Sequence, residues 1–306
     1  MNILMTGAEG FIGSHLLKEF ENRTLNDHIF ILGYKQINGY PTIDYKDFVF
    51  SKNDFAKVGL NEIDVLLILG GHIEKKGELH PVRNHLGSIN SVDYLLNNLP
   101  FKPKKVIFCS SVSVYGYDEN SIYKHCRHGL IDEQTAIKPV RAYALSKVMC
   151  EKLVDEWCHE NNVNCQILRL GSVYYYEKEL LDRAGFIYYL LKAYFSGAVF
   201  NLYSHPKQLW NYVFIDDVCN WIINSFYLEE CPGVINLTAD KNLTTKEIVT
   251  LFKKNDNGFK YAVSNNCVYK GTDKSFDSSK RKEYLGNEKH PFEKVVRRIV
   301  GIKKNS

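Results

Sequence analysis

The run Thr6-Gly7-Ala8-Glu9-Gly10-Phe11-Ile12-Gly13 follows a short apolar stretch and opens an amphipathic one, and this feature restricts the possible folds of the chain most strongly. A glycine-rich turn from strand into helix is the signature of a phosphate-binding strand–helix unit. Gly7 permits the tight turn, Gly10 lets backbone approach a pyrophosphate, and Gly13 allows close packing of helix on strand. The helix N-terminus turns its N–H groups and positive dipole end towards the anion. Phe11, Ile12 and Gly70 complete the contacts expected for a bound dinucleotide.

Apolar runs at 3–6, 28–32, 65–69, 105–110 and 164–170 alternate with amphipathic stretches, which predicts parallel strands with helices on both faces. A helix is expected over 141–160, where Leu145, Val148, Met149, Leu153 and Trp157 recur at helical spacing. Beyond 171 the rhythm changes. An aromatic-rich helix over 185–196 and a strand over 198–202 precede a strand over 212–215 that leads into a helix start at Asp216-Asp217. The expected architecture is α/β: a doubly wound parallel sheet over 1–171, rejoined by 210–240, and a smaller C-terminal substrate-binding lobe mainly within 172–306. The basic stretch 280–304, with an amphipathic segment at 292–300, reads as a solvated helix face.

With 306 residues, 45% hydrophobic and 24% charged, the chain has enough apolar residues for a large core, so a folded globular protein rather than a disordered chain is expected. A net charge of +4 is compatible with an anionic ligand but far below the basicity of a nucleic-acid binder. No apolar run reaches the roughly 20 residues that span a bilayer, and the first strand begins at Asn2, so neither a membrane segment nor a signal peptide is expected and the protein reads as cytoplasmic. The eight cysteines lack disulfide or Cys-x-x-Cys spacing. His125, Cys126 and His128 cluster, yet neighbouring residues seldom converge on one ion and a structural zinc needs a fourth ligand, so no metal is assigned.

Tyr143-Ala144-Leu145-Ser146-Lys147 places a phenol and an ammonium four residues apart on one helical face. A phenol ordinarily titrates near 10, so a nearby cation that stabilises its anion makes it a working acid and base at about neutral pH. Cys109-Ser110-Ser111-Val112-Ser113 ends a strand, and Ser111 is the hydroxyl best placed to hold a substrate oxygen beside Tyr143. Ser111, Tyr143 and Lys147 are the candidate catalytic residues. The end of the second strand carries Gly33 where an acid usually meets the adenosine ribose, and Lys35 follows. Together they point to NADP, with NAD as the alternative.

These residues, in this order, resemble the extended, nucleotide-sugar-modifying branch of the short-chain dehydrogenase/reductases, the NAD-dependent epimerase/dehydratase family, whose fold is of Rossmann type. Asn84-His85-Leu86-Gly87-Ser88, Arg169-Leu170-Gly171-Ser172-Val173-Tyr174, Tyr212-Val213-Phe214-Ile215-Asp216-Asp217-Val218, and Asp277-Ser278-Ser279-Lys280 with Leu285-Gly286 are similar to further segments of that branch. The resemblance implies a nucleotide-sugar substrate and a homodimer built on the helices near 80–98 and 141–160. The 4,6-dehydratases of the branch carry Thr-Asp-Glu where this chain has Ser111-Val112-Ser113, which argues against dehydration. An NADPH-dependent reductase of a 4-keto sugar nucleotide is expected, with an NAD-retaining 4-epimerase and a non-catalytic dinucleotide sensor as alternatives. The implied substrate contacts are Ser111, Ser113, Ser172, Lys207, Trp210 and Lys270. Trp210 stands where the family places a diphosphate-binding Arg, and Lys207 and Lys270 are its nearest substitutes. The segment 117–134, with His125, Cys126 and His128, is expected to pass over the mouth of the site.

Overall fold

The computed structural model describes the chain apart from residues 24–25, 46–49, 71–80, 117–128, 178–180, 182, 184, 269–274 and 306. Two compact units are present: Met1–Gly116 with Ile137–Leu170 and Cys219–Asn236, and Tyr117–Ala136 with Gly171–Val218 and Leu237–Ser306.

The first unit is built from β1 (Asn2–Thr6), α1 (Phe11–Asn22), β2 (His28–Gly33), β3 (Thr42–Asp44), α2 (Lys52–Lys57), β4 (Val65–Ile68), α3 (Pro81–Asn98), β5 (Lys105–Ser111), a 3-10 turn (Val112–Tyr115), α4 (Ala142–Asn161) and β6 (Asn164–Leu170). The order in the seven-stranded sheet is β11-β6-β5-β4-β1-β2-β3, where β11 is Gly233–Leu237. The pairings from β3 across to β6 are parallel. Central strands buried on both faces need continuous apolar sequence, which Ile3-Leu4-Met5 and Val65-Leu66-Leu67-Ile68 supply. The chain leaves β1 towards β2 on one side and later resumes with β4 on the other. That reversal opens a crevice at the carboxyl ends of β1 and β4, the topological switch point at which such sheets bind ligands.

Helix α4 packs on α3 through Cys150, Val154 and Cys158 against Val92, Leu95 and Leu96. The expected apolar stripe is not its inner face: Leu145 and Met149 are 53% and 49% exposed, while Lys147 and Glu151 are buried. The polar groups turn inward because the sheet offers them partners. Lys105, buried at the start of β5, similarly donates to the carbonyls of Ser225, Phe226 and Leu228. It thereby satisfies the last turn of α6 (Ile215–Phe226), whose C-terminal portion lies in this unit.

The second unit contains β7 (Ser172–Tyr174), α5 (Phe186–Ser196), β8 (Phe200–Ser204), β9 (Leu209–Trp210), β10 (Tyr212–Phe214), the start of α6, β12 (Leu243–Thr244), α7 (Thr245–Asn255), β13 (Tyr261–Val268), α8 (Ser279–Leu285) and α9 (Phe292–Asn305). Its strands join in pairs, β7 with β10 and β8 with β13 in parallel and β9 with β12 antiparallel. Aromatic residues fill the core, Tyr174, Tyr194, Phe214 and Phe252 among them. The basic C-terminal stretch is more than a solvated face: Phe292, Val295, Val296, Ile299 and Val300 of α9 are buried in this core. Asp217, in the first turn of α6, is fully buried and accepts from the backbone N–H groups of Lys289 and His290. No helix among the described residues is long and apolar enough to cross a membrane.

Burial, followed by the charges of Asp240 and Asp217, raises the Glu288 carboxyl to about 7, although its Oε2 accepts from the Asp240 amide. Its folded-state value lies above the unfolded one, so the associated stability is complete below about pH 4.5 and is lost as pH rises through about 7. Glu288→Gln keeps an acceptor for the amide and removes the titration. Urea unfolding should find the variant equal to wild type near pH 4.5 and more stable, by up to about 3 kcal/mol, at pH 8.

Candidate functional site

The glycine turn is held by its own backbone. Gly10 N–H donates to Gly7 O at 3.1 Å and Ser14 N–H to Gly10 O at 2.9 Å. Gly7 has φ +71°, and a β-carbon there would lie 3.1 Å from Gly70 N. At Gly13 a β-carbon would lie 2.2 Å from Gly7 O and 2.6 Å from the Ala8 Cα, so only glycine fits. Phe11 and Ile12 begin α1, whose first turn carries no acid and whose cap, Gly10, offers no side chain. The hydroxyl of Thr6, beneath the turn, is buried with no hydrogen-bond partner among the described residues. A cradle of backbone at a helix N-terminus, kept free of side chains and of negative charge in its first helical turn, fits a dinucleotide pyrophosphate.

At the neighbouring strand end, Lys35 is exposed and Gly33 is buried. The place of a Gly33 β-carbon lies 3.4 Å from Oε1 of Glu9. The acid that the sequence lacks at the end of β2 is therefore present in space, delivered from the glycine turn.

Ser111 ends β5, and its Oγ accepts from Ser113 N–H at 3.2 Å, capping the 3-10 turn. The Ser113 hydroxyl is buried without a partner among the described residues. In the first turn of α4, Tyr143 is partly buried, and its ring lies 5.9 Å from that of His85. Lys147 is 5% exposed and donates to Cys109 O at 2.9 Å and Gly70 O at 3.3 Å, with Nζ 6.0 Å from the Tyr143 ring centre. Its hydrogen-bond partners among the described residues are neutral carbonyls, which orient the group beside the phenol without pairing it with an acid. Burial pushes the Cys109 thiol up to about 12 against the pull of Lys147, which makes it a poor nucleophile.

A buried network supports this arrangement. Glu151, one turn beyond Lys147, accepts from Ser110 Oγ at 2.5 Å and from Arg169 at 3.0 and 2.7 Å. Arg169 also donates to Tyr115 OH, which in turn donates to Asn236 Oδ1, each at 2.8 Å. Neither Glu151 nor Glu9 belongs to the glycine or Ser-Tyr-Lys pattern that marks the site in the sequence. The four-residue spacing of Tyr143, Lys147 and Glu151 was a legible signal for the first, and nothing local signalled the second.

Of the substrate candidates in the second unit, Ser172 lies in β7 and Lys207 is exposed between β8 and β9. Trp210 is stacked against Phe186 and Tyr212 at 5.1 and 5.7 Å and gives its indole N–H to Thr245 Oγ1. Its aromatic ring and its donor are thus occupied within its own unit, which departs from a diphosphate clamp. Lys270, His125, Cys126 and His128 lie outside the described residues. Among those described, no group of three or more His, Cys, Asp or Glu is arranged to hold a metal.

A model of the NAD dependent epimerase/dehydratase family matches residues 3–237. The chain is 25% identical over 270 residues to ADP-L-glycero-D-manno-heptose-6-epimerase of Brachyspira hyodysenteriae, covering 82% of this chain and 80% of that one. It superposes on UDP-glucuronic acid 4-epimerase of Bacillus cereus, solved with UDP-glucuronic acid and NAD, with TM-score 0.76 and 19% identity over 100% and 99% of the two chains. UDP-glucose 4-epimerase of Thermotoga maritima gives TM-score 0.76 at 18% identity, over 100% and 99%.

Gly13→Ala should weaken dinucleotide binding by at least about tenfold, because the new methyl displaces the Gly7 and Ala8 backbone that forms the cradle. Gly301→Ala, in open space on α9, is the matched control and should leave binding unchanged. Fluorescence titration with reduced dinucleotide compares the two.

Proposed function

The chain belongs to the NAD dependent epimerase/dehydratase family, and we propose that within it the protein is a nucleotide-sugar oxidoreductase acting at C4 of the sugar, in the epimerising mode. The observation that carries this reading is Lys147, an ammonium held among the described residues by two carbonyls beside Tyr143, next to the glycine cradle. A nicotinamide dinucleotide held at the Gly7–Gly13 turn would supply the hydride acceptor and donor. Tyr143 takes the proton of the C4 hydroxyl as hydride departs and gives it back when hydride returns. Lys147 stabilises the negative charge that develops on the phenol oxygen, and the Ser111 hydroxyl donates to the sugar oxygen. Val112 and Ser113, whose hydroxyl is buried, offer no acid–base pair for loss of water, which disfavours dehydration.

The epimerases among its relatives and fold neighbours support the epimerising mode. Net reduction of a 4-keto sugar nucleotide by NADPH is the second reading, favoured by the exposed Lys35 just past β2. Ser172, Lys207 and Lys270 are proposed to face the substrate. Interconversion of UDP-sugar epimers without added cofactor, with NAD released on denaturation, is the expected result. Consumption of NADPH by 4-keto sugar nucleotides, with no epimer formed, would replace it by the second reading. Tyr143→Phe should lower turnover by about a hundredfold or more and leave dinucleotide binding intact.

We further propose a homodimer through the outer faces of α3 and α4, where Val82, Leu86, Leu145 and Met149 are exposed. Light scattering should show wild type as a dimer and Leu145→Lys/Met149→Lys as a monomer with unchanged circular dichroism.

A further inference from the structure

The register of β1 and β2 sets Thr6 opposite Leu32, so the glycine turn lies beside Gly33. Gly33 has no positive φ and is not a glycine for conformational reasons. Facing it are Ile31 Cγ2 at 3.4 Å and the one polar group, the Glu9 carboxylate, with Oε1 3.4 Å and Cδ 3.8 Å from the position of a β-carbon. The carboxylate thus lies over the end of β2, in the space an acidic side chain at residue 33 would enter. An acid at both positions would bring two like charges into contact. Nearby, the Tyr34 phenol is raised by burial and then by the negative charge of Glu9. Among the described residues neither Glu9 nor Lys35 forms an ion pair.

We infer that Glu9 selects the cofactor: its carboxylate takes the role of the missing strand-end acid, accepting a hydrogen bond from an adenosine ribose hydroxyl of NAD and repelling the 2′-phosphate of NADP. The inference rests on the dinucleotide-binding part of the proposed function and is independent of the sugar. It reverses the preference for NADP drawn from Gly33 and Lys35. Lys35 is a solvated charge on a flexible stem, whereas Glu9 is placed on the strand end by the turn itself. A carboxylate facing a phosphate monoester in water corresponds to roughly ten- to thirtyfold discrimination.

The test is equilibrium titration of the full-length, nucleotide-free protein with NADH and NADPH, followed by nicotinamide fluorescence with no sugar nucleotide present. Wild type should bind NADH at least about tenfold more tightly, and the ratio should fall as salt is raised, because the site is exposed. Glu9→Gln should bring the ratio to about threefold or less, mainly by strengthening NADPH. Glu9→Ala/Gly33→Asp returns the charge to the strand end and should restore the preference. Equal or tighter NADPH binding by wild type, or an unchanged ratio in Glu9→Gln, overturns the inference. Binding of neither dinucleotide overturns it together with the proposed function. A normal NADH preference with no turnover of any sugar nucleotide upholds Glu9 and removes only the proposed reaction.

Discussion

The pairing of Arg169 with Glu151 is the interaction on which the rest of the larger unit depends. Both side chains are almost wholly buried, and the guanidinium meets the carboxylate through two parallel hydrogen bonds. Burial works against the charge of Arg169, but the bonds from Glu151 and Tyr115 outweigh it and hold the group protonated above its ordinary range. A charge left without its partner there would cost about 3–5 kcal/mol. The pair therefore behaves as one unit. Through it α4 is registered against β6, through Ser110 against β5, and through Tyr115 and Asn236 against β11.

That registration matters because α4 carries the candidate chemistry one and two turns earlier. Lys147 reaches the carbonyls at the ends of β4 and β5 only if the helix lies at the height the buried pair sets. Carbonyl partners orient the ammonium without cancelling its charge. A carboxylate in their place would have turned the same lysine into half of a structural ion pair, with little field left for Tyr143. The polar interior of α4 is thus a division of labour: Glu151 locks the helix, and Lys147 reaches the ends of β4 and β5 beside Tyr143.

Charge placement also connects the two ends of the cofactor cradle. The glycine turn removes side chains where phosphate would approach, and the same turn sends one carboxylate sideways to the end of β2. On the proposed reading a single short loop supplies both the anion site and the group that discriminates against an additional anion. The acidic function has moved by one strand in space and by 24 residues in sequence, which is the separation of Glu9 from Gly33.

The amino-acid sequence by itself determined the strand–turn–helix at Gly7 to Gly13, the five principal strands to within two residues at either end, and the Tyr143–Lys147 pair, because each rests on a spacing within a few residues of chain. Periodicity also placed α4 to within one residue at each end, yet it misjudged which side is buried. Leu145 and Met149 look outward since the sheet presents partners for Lys147 and Glu151 that no local pattern reveals. The short strands β3, β9 and β12 are too brief to show an alternation, and pairing alone defines them. The surroundings of Trp210 are likewise not local, since Phe186 and Thr245 lie 24 and 35 residues away in sequence. The charge beside Gly33 was decided only by tertiary structure. Sequence distance measures neither the reach of a side chain nor the adjacency of parallel strands, and electrostatics depends on both.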